Sequence, residues 1–589
     1  MLLVAACVFF AGLGRLPLTE PDEGRNAEVA REILVLHDAV TPHYNTLPYL
    51  DKPAVFFWLV AGSFRVFGLS EWAARLPSAL AALGTLMLVW LLARKMFGER
   101  AAFAAGIVFA TSPLSIVFAR VVIFDMLLAF LVTAALVAFW FGQASGWRLR
   151  SVEYTMFAAA GAATITKGPV GFLLPLFTIL VYAALQRKFG ELKKIAWAQG
   201  LAVFLAVSLP WFIAVSIRNP DFPRYAFWDE SLLRFATGHA RRGGSVFYYI
   251  PVFLLGVFPW SLLLTFAGVN RFKAWKRLRD EACASEAFLM AWAVTVFVFF
   301  SISRSKLPVY FLPAVPALAV LMGKVWSSAV GEEPLRSRPD WLTAGFALFI
   351  GLGLLLAATP AWLRASSYGK LAAKRIHPAV FQMLPSSIFY TGLILAALGV
   401  LGRNLASRSR SRVYAASCFA TFAVTVPLLA LRWWTPLTAY ALTSSTKSLA
   451  AAIRQGPERD LPVYGYYYFR TGLPFYLQRP IGLVTSGGDE LTSNYVTAHW
   501  ARLRRISPFS PPRAGGSSGP LLLEANEFAE LGRSSATPFL VLVQNSEVAD
   551  VARLQGIIEP LWEAWQYSVW KVPGAPGRPA TTGGAGPGH

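Results

Sequence analysis

The sequence predicts a polytopic α-helical membrane protein that carries a small C-terminal α/β domain outside the bilayer. Three observations support this fold class: the composition, a long series of apolar runs, and a change of pattern after residue 440. Of the 589 residues, 56% are hydrophobic and 15% are charged. An ordinary soluble domain has roughly 45–50% apolar and about 25% charged residues. The composition therefore excludes intrinsically disordered, collagen-like and disulfide-stapled secreted proteins.

The apolar runs predict about 13 membrane spans, because a helix crosses a bilayer with about 20 consecutive apolar residues. The first run has neither a basic region before it nor a small-residue cleavage site after it, so it predicts a retained helix and not a signal peptide. The predicted spans centre on residues 2–16, 75–95, 101–119, 122–141, 153–167, 169–186, 197–217, 247–267, 286–302, 307–327, 342–360, 386–402 and 413–431.

The net charge of +22 arises from 54 Lys and Arg residues against 32 Asp and Glu residues. These cations occur in short clusters between apolar runs, a distribution typical of cytoplasmic loops under the positive-inside rule. A nucleic-acid-binding protein instead concentrates its charge on one soluble face or tail, so we predict no nucleic-acid partner. Alternation of the basic loops places two long loops, 17–74 and 218–246, and the C-terminal region on the outer face. The three cysteines have no CxxC spacing and favour neither a zinc site nor a disulfide framework.

The C-terminal region from 440 to 575 has a different pattern. Short β-like runs at 462–469, 481–485, 538–543 and 567–572 are separated by Gly, Pro and Ser turns and by helix-like stretches. This pattern predicts a small periplasmic α/β domain after a transmembrane domain that covers residues 1–435 and carries both outer loops. Residues 576–589 are rich in Gly and Pro, a composition that predicts a disordered tail.

The first outer loop begins with an acidic pair, Asp22 and Glu23, at the start of a predicted short amphipathic helix. Glu28 and Arg31 form its polar face, so we expect the helix to lie in the membrane interface. The simplest interpretation of the acidic pair is an N-terminal helix cap. Lys52, which precedes an apolar run, has an equally simple interpretation as a lysine that snorkels to the headgroups.

Other charges lie in short outer turns, against the topology signal. Arg120 and Asp125 flank one hairpin, Lys167 lies in a second, and Arg304 and Lys306 lie in a third. Ionisable groups at span ends that face a bundle interior are functional candidates.

The second long outer loop adds Glu230 and Arg234, whose spacing of four residues also suits a plain helix-surface pair. Together, the outer loops predict a cavity that suits a lipid with a phosphate head, because Lys and Arg bind charged phosphate oxygens.

The motifs of these loops, taken in order, resemble those of the GT-C glycosyltransferases of the aminoarabinose (lipid A) transferase and protein O-mannosyltransferase superfamily. The resemblance covers about residues 15–330. The series is Asp22-Glu-Gly-Arg25, Asp51-Lys52-Pro53, Phe124-Asp125, Thr166-Lys167-Gly168, Phe227-Trp228 with Glu230 and Arg234-Phe235, and Ser305-Lys306-Leu-Pro308 with Tyr310.

The resemblance implies inverting sugar transfer from a polyprenyl (undecaprenyl) phosphate donor to a periplasmic acceptor, which is lipid A, another glycan or a protein. It implies a multi-pass protein of the bacterial inner membrane, with membrane lipid around it and no nucleotide at the site. By position, Asp22 matches the essential acid of the family and Asp125 matches a further acidic motif position, so both are catalytic candidates. Glu23, the neighbour of Asp22, is a further catalytic candidate that we expect to matter less. The resemblance places Lys52, Arg234 and Tyr310 around the donor phosphate, and Lys167 matches a further basic motif position. We expect Lys167 and Lys306 to be additional phosphate ligands.

Two departures from the family pattern concern a metal. The Glu-Lys-Pro of the family is Asp51-Lys52-Pro53 here, and its Glu-His pair is Glu230-Ser231. Asp51 and Glu230 remain candidate ligands for a hard cation, Mg²⁺ or Mn²⁺, completed by water. Without the histidine, zinc is less expected.

The alternative from another functional class is a flippase or transporter of a lipid-linked sugar. A transporter predicts charged groups near the middle of the membrane, reached from both sides in turn. The unusual charges of this sequence lie instead at the outer ends of the spans, which favours chemistry at one face.

Overall fold

The computed structural model describes residues 1–233, 244–262, 278–331, 340–407, 412–506, 521–535, 537–556 and 558–574. The chain divides into two compact units. The first contains Met1–Leu16 and Lys52–Tyr440, and the second contains Pro17–Asp51 and Ala441–His589.

The first unit is helical, as the sequence predicts. Its helices are Leu2–Phe10, Val55–Phe67, Glu71–Phe97, Glu99–Thr111, Pro113–Ala119, Asp125–Ala144, Arg150–Lys167, Val170–Gln186, Phe189–Leu192, Trp197–Arg218, Phe222–Arg224, Tyr249–Gly256, Ala284–Ile302, Val315–Gly331, Asp340–Ala365, Ser367–Arg375, Pro378–Ser407, Arg412–Arg432 and Trp434–Ser444. A π-helix covers Tyr225–Leu233, and 3₁₀ turns cover Glu281–Cys283 and Pro308–Ala314.

Within the described residues, eight helices are long and apolar enough to cross a membrane, and a bent helix pair gives up to nine. Two shorter apolar helices, Val55–Phe67 and Val170–Gln186, accompany them. The predicted span over 247–267 extends into residues 263–277, which lie outside the described part of the chain. The count of about 13 therefore stays a prediction.

Two predicted spans differ in detail from the structure. The span over 101–119 is two helices at 62° to each other, and the break falls where Pro113 lacks the N–H that would continue the first helix. The span over 2–16 is helical only to Phe10. Gly12 then adopts a φ of +66°, a left-handed conformation that side chains disfavour and that turns the chain.

The second unit contains the predicted α/β fold. A hairpin pairs β1 (His43–Tyr44) with β2 (Leu47–Pro48), and the strands of the large sheet are β3 (Val463–Tyr466), β4 (Gly482–Val484), β5 (Leu522–Leu523), β6 (Phe539–Gln544), β7 (Glu559–Glu563) and β8 (Tyr567–Val572). The large sheet has the order β5-β4-β3-β6-β8-β7. Strands β5, β4, β3 and β6 are parallel neighbours, whereas β8 pairs antiparallel with both β6 and β7.

Helices cover this sheet and close its core. Tyr464, Val541 and Val543 pack against Phe528 of the helix Ala525–Ser534 and are almost fully buried. The helices of the unit are Asp22–Val35, Lys447–Gln455, Leu473–Leu477, Asn494–Ala498, Trp500–Ile506, Ala525–Ser534 and Val548–Gln555, with 3₁₀ turns at Asp489–Leu491 and Asn545–Glu547. The tail predicted over 576–589 lies outside the described residues.

The structure assigns part of the first outer loop to this unit, whereas the sequence predicts the whole loop 17–74 as part of the transmembrane domain. Hydrogen bonds to distant main-chain groups give the reason. The Glu20 carboxylate accepts bonds from the N–H groups of Thr471 (2.5 Å) and Gly472 (2.9 Å). Gly24 approaches Gly472 so closely that a Cβ atom on Gly24 would lie 2.5 Å from the Cα of Gly472. Residues 17–51 therefore pack as an integral piece of the α/β unit.

The helix Asp22–Val35 forms where the sequence predicts it, but its polar face is buried. Glu28 and Arg31 are 0% and 5% exposed and make a two-pronged ion pair, both contacts at 2.7 Å. Glu32, 2% exposed, accepts the Thr46 N–H on both oxygens at 3.0 and 2.9 Å. Because the Glu28–Arg31 ion pair and the Glu32 carboxyl group have their partners inside the unit, the helix does not present the solvent-exposed polar face expected of an interfacial helix.

Candidate active site

One cluster of the predicted residues forms at the ends of two helices of the first unit. Asp125 is the first residue of the helix Asp125–Ala144, and Lys167 is the last residue of Arg150–Lys167. Their side chains form an ion pair and are only 3% and 11% exposed. The Lys167 ammonium also lies 4.3 Å from the centre of the Tyr310 ring. Three of the predicted site residues, from three separate segments, thus lie together.

A second ion pair joins Lys52 to Glu230. Their side chains are 18% and 11% exposed. Glu230 lies on the π-helix Tyr225–Leu233, a rare conformation that is frequent at functional sites. Arg234, the predicted phosphate ligand that follows, lies outside the described residues.

Phe124 connects the two ion pairs. Its ring centre lies 6.0 Å from Lys52 Nζ and 5.4 Å from Lys167 Nζ. Phe56 packs edge-on against the same ring, at 6.3 Å and 85°. Reasoning from the sequence did not single out Phe124 as a site residue. The one sequence signal that could have found it is its place directly before Asp125 in the Phe124-Asp125 motif.

Lys306 occupies a different environment from the one predicted. Its ammonium donates hydrogen bonds to the main-chain carbonyls of Phe300 (3.3 Å), Ser301 (2.7 Å) and Ser303 (2.5 Å). These carbonyls lie at the C-terminal end of the helix Ala284–Ile302, where a positive charge is favourable. Burial lowers the pKa of the Lys306 ammonium. The sequence predicts Lys306 as a phosphate ligand, whereas in the structure its ammonium group donates to three main-chain carbonyls.

Arg120, like Lys306, binds main-chain carbonyls. Its guanidinium donates to the carbonyls of Val8 (2.8 Å) and Ala11 (2.7 Å), at the end of the first helix. Arg75 binds the carbonyls of Leu13 (2.9 Å) and Leu16 (2.7 Å) in the following turn. The cations that oppose the topology signal thus divide into two groups: some bind main-chain carbonyls, and Lys52 and Lys167 pair with carboxylates.

Asp22 and Glu23, the acidic pair of the second unit, differ in exposure and in bonding partners. Glu23 is buried and its Oε2 accepts hydrogen bonds from the N–H (3.0 Å) and hydroxyl (2.9 Å) of Thr19. Thr19 lies before the helix, so these bonds are not the N-terminal cap that the sequence predicts, and the N-cap residue Pro21 has no side-chain cap bond. Asp22 pairs with Arg25 but leaves half of its side chain exposed. Burial alone would lower the pKa of Arg25, yet the nearby Tyr49 and Asp22 raise it above its usual value. Asp22 is therefore the accessible carboxylate of the pair.

The candidate metal ligands each have a partner of another kind. Asp51 Oδ1 accepts the Tyr495 N–H at 2.9 Å, and Glu230 binds Lys52. Among the residues that the structure describes, no group of three or more His, Cys, Asp or Glu side chains could hold a metal ion. The predicted Mg²⁺ or Mn²⁺ site has two carboxylates and water as its ligands, and it stays a prediction.

Comparison with known proteins assigns the sequence to a family. Residues 51–214 match the family model described as dolichyl-phosphate-mannose-protein mannosyltransferase. The chain is 34% identical over 349 residues to the undecaprenyl phosphate-alpha-4-amino-4-deoxy-L-arabinose arabinosyl transferase of Edwardsiella ictaluri, an alignment that covers 58% of this chain and 61% of that protein. It thus spans less than two thirds of that relative. The transferase of the same name from Pseudomonas paraeruginosa is 32% identical over 407 residues, covering 68% of this chain and 70% of the relative.

The fold has the same relatives. The crystal structure of ArnT from Cupriavidus metallidurans bound to undecaprenyl phosphate superimposes with a TM-score of 0.80 at 28% identity and covers 97% of each chain. Its apo state gives a TM-score of 0.79 at 29% identity, over 97% of this chain and 96% of that one. These findings confirm the resemblance seen in the sequence and the GT-C type of membrane fold. The chain belongs to the family of undecaprenyl phosphate-alpha-4-amino-4-deoxy-L-arabinose arabinosyl transferases.

Proposed function

We propose that this protein is an integral membrane glycosyltransferase that moves a sugar from an undecaprenyl-phosphate donor to an acceptor of the lipid A class, with inversion at the anomeric carbon. The observation that carries the proposal is the arrangement of Lys52 and Lys167 around one aromatic ring, each paired with a carboxylate. The names of the relatives support the donor class and the reaction, because they are arabinosyl transferases named for undecaprenyl phosphate-alpha-4-amino-4-deoxy-L-arabinose.

The two lysines suit the leaving group of this reaction. The bond between the anomeric carbon and the phosphate oxygen breaks, and its electron pair goes to that oxygen, so negative charge grows on the phosphate. Cations fixed in a water-poor site stabilise such a charge by several kcal/mol. Lys52 and Lys167 are largely buried, and the phosphate replaces their carboxylate partners. The phenolic hydroxyl of Tyr310, whose ring faces Lys167, donates a hydrogen bond to a phosphate oxygen.

The acceptor requires a separate group. A hydroxyl acceptor must lose its proton as its oxygen attacks the anomeric carbon, and a carboxylate within hydrogen-bond reach takes that proton. Asp22 is the proposed carboxylate, because its side chain is half-exposed while that of Glu23 is buried against Thr19. An acceptor phosphate is already ionised and needs no base, in which case Asp22 orients it.

The proposed location is the bacterial inner membrane, with the reacting groups on the periplasmic face. The alternation of basic loops supports this orientation. Single cysteines placed in 17–74, 218–246 and 440–575 should all react with an impermeant thiol reagent added outside. Protection of any one of these regions while the other two react would contradict the proposed orientation.

The acceptor is tested in the cell. Deletion of the gene should remove a 4-amino-4-deoxy-L-arabinose modification from lipid A, measured by mass spectrometry, and leave protein and cell-wall glycans unchanged. Unchanged lipid A together with altered glycoproteins or wall glycan would refute the proposed acceptor.

A further inference from the structure

Phe124 has an environment that its position in the sequence does not require. It precedes the helix Asp125–Ala144, and its side chain is almost completely buried. Lys52 and Lys167 reach it from two other segments, and their ammonium nitrogens lie 6.0 and 5.4 Å from its ring centre. Two cations thus share one benzene ring.

The chemistry of the ring explains how it can serve two cations. The face of a benzene ring carries partial negative charge and attracts an ammonium group within about 6 Å. A ring has no net charge, so it does not compete with an anion for the lysines as a carboxylate does. It also reduces the cost of placing two like charges close together, because like charges repel most in a poorly solvated site.

The ring itself is held in a defined orientation. Phe56 packs edge-on against it at 85°, and the two side chains lie within the buried core of the unit. An aromatic pair in this geometry is favourable beyond the apolar area that it buries. The face of Phe124 is therefore fixed when the lysines exchange their partners.

We propose that Phe124 is a positioning residue for the donor phosphate: its ring holds the ammonium groups of Lys52 and Lys167 while the phosphate replaces Glu230 and Asp125 as their partner. This inference rests on the proposed function. It assigns the specificity of the site for an anion to a neutral aromatic ring together with the two lysines.

A different role is possible for any buried phenylalanine, namely to fill space in the core. Fluorination separates the two roles, because fluorine draws electron density from the ring face while the shape of the side chain changes little. If the ring only fills space, fluorine should leave donor binding unchanged. If the ring attracts the ammonium groups, each added fluorine atom should weaken that attraction and so weaken donor binding.

The experiment uses the full chain in nanodiscs with 4-fluoro-, 3,5-difluoro- or 3,4,5-trifluorophenylalanine at position 124. Binding of undecaprenyl phosphate and the KM and kcat of sugar transfer are measured for each variant. We expect the dissociation constant and KM to rise stepwise, to about 10-fold for the trifluoro ring, the scale of a desolvated cation–π contact. We expect Phe124→Tyr to retain binding and Phe124→Leu to lose it.

The matched control places the same fluorinated residues at Phe109, a buried ring that packs edge-on against Phe9 at 6.5 Å. Its binding and kinetic constants should stay at the wild-type values. Wild-type binding by the trifluoro variant at position 124 would overturn the inference, even if Phe124→Leu failed to fold. If the wild-type protein binds undecaprenyl phosphate but transfers no sugar, the proposed function fails, and the binding series still decides the role of Phe124.

Discussion

The ammonium of Lys52 pairs with the carboxylate of Glu230, which is 178 positions away in the sequence and lies on a π-helix. Both side chains are less than one fifth exposed. Removal of one partner from a largely buried ion pair leaves the other charge uncompensated, which is destabilising. An anion that displaces Glu230 from Lys52 must therefore compensate for the lost ion pair. A phosphate can do so because it offers more than one charged oxygen.

This relationship predicts opposite effects for the two partners. Lys52→Ala should lower turnover by about 10²-fold, the usual loss when one charge-stabilising donor is removed. Glu230→Gln should bind undecaprenyl phosphate several-fold more tightly, because the anion no longer competes with a carboxylate for Lys52. Titration of both variants with undecaprenyl phosphate checks this. Weaker binding by Glu230→Gln would show that Glu230 holds the site together or binds a cation that the phosphate needs.

The pair Asp125 and Lys167 should be coupled in stability. Removal of one partner leaves an uncompensated charge at a site where the side chains are 3% and 11% exposed, a change that costs roughly 3–5 kcal/mol in buried pairs. Asp125→Asn, Lys167→Met and the double variant form a cycle, measured by thermal unfolding. We expect the double variant to be more stable than the sum of the single losses predicts. Strict additivity would mean that the two side chains do not interact in solution.

Asp22 and Glu23 should separate chemistry from stability. Asp22→Asn should abolish transfer to a hydroxyl acceptor while undecaprenyl phosphate binding stays near the wild-type level. Glu23→Gln should retain turnover and lose about 1 kcal/mol of stability, because its carboxylate is the partner of two Thr19 donors. Turnover and unfolding temperature are measured for both. An Asp22→Asn enzyme with full activity would move the acceptor chemistry to another carboxylate.

Lys306→Met should destabilise the protein without a specific effect on the phosphate. The substitution removes the donor to three carbonyls at the end of a helix, and an unmade hydrogen bond of a buried group costs about 1–3 kcal/mol. The unfolding temperature should fall, and the dissociation constant for undecaprenyl phosphate should change less than twofold in folded protein. A large loss of binding at unchanged stability would restore Lys306 as a phosphate ligand.

Glu32 should make stability depend on pH. Burial, and then the neighbouring Glu28, raise the pKa of Glu32 well above its usual value of 4.5. The folded state thus holds a proton that the unfolded state releases, so stability should fall as pH rises from about 4.5 towards the raised pKa. Glu32→Gln should remove this part of the slope in unfolding temperature against pH. An identical slope in the variant would contradict the assignment to Glu32.

Much of the fold could be predicted because its causes are local. Long apolar runs indicate helices in a bilayer, and alternating short β-like runs indicate β3, β4, β6 and β8. Strand β5 has only two residues and β7 is mostly exposed, so neither carries a clear pattern. The assignment of residues 17–51 to the α/β unit depends on bonds such as Glu20 to Thr471, which no local pattern encodes.

The sequence singles out the charged residues and Tyr310 of the candidate site but not Phe124. A lysine in a short outer turn is conspicuous, and the order of motifs resembles a known family. Sequence alone does not show what a cation binds: Lys306 and Lys167 look alike, but one binds carbonyls and the other a carboxylate. Phe124 is one of 44 phenylalanines, so its role becomes visible only when two distant lysines meet at its ring.

The most direct test of the account is the fate of the sugar–phosphate bond in the presence of the purified full chain. Proteoliposomes receive undecaprenyl phosphate-linked 4-amino-4-deoxy-L-arabinose labelled in the sugar, together with lipid A. We predict labelled lipid A and free undecaprenyl phosphate, a loss of about 10²-fold for Lys52→Ala, and wild-type rates for Lys194→Ala, which removes an exposed surface ion pair with Glu191. Movement of the labelled donor across the bilayer with its sugar–phosphate bond intact would contradict the account and indicate a transporter.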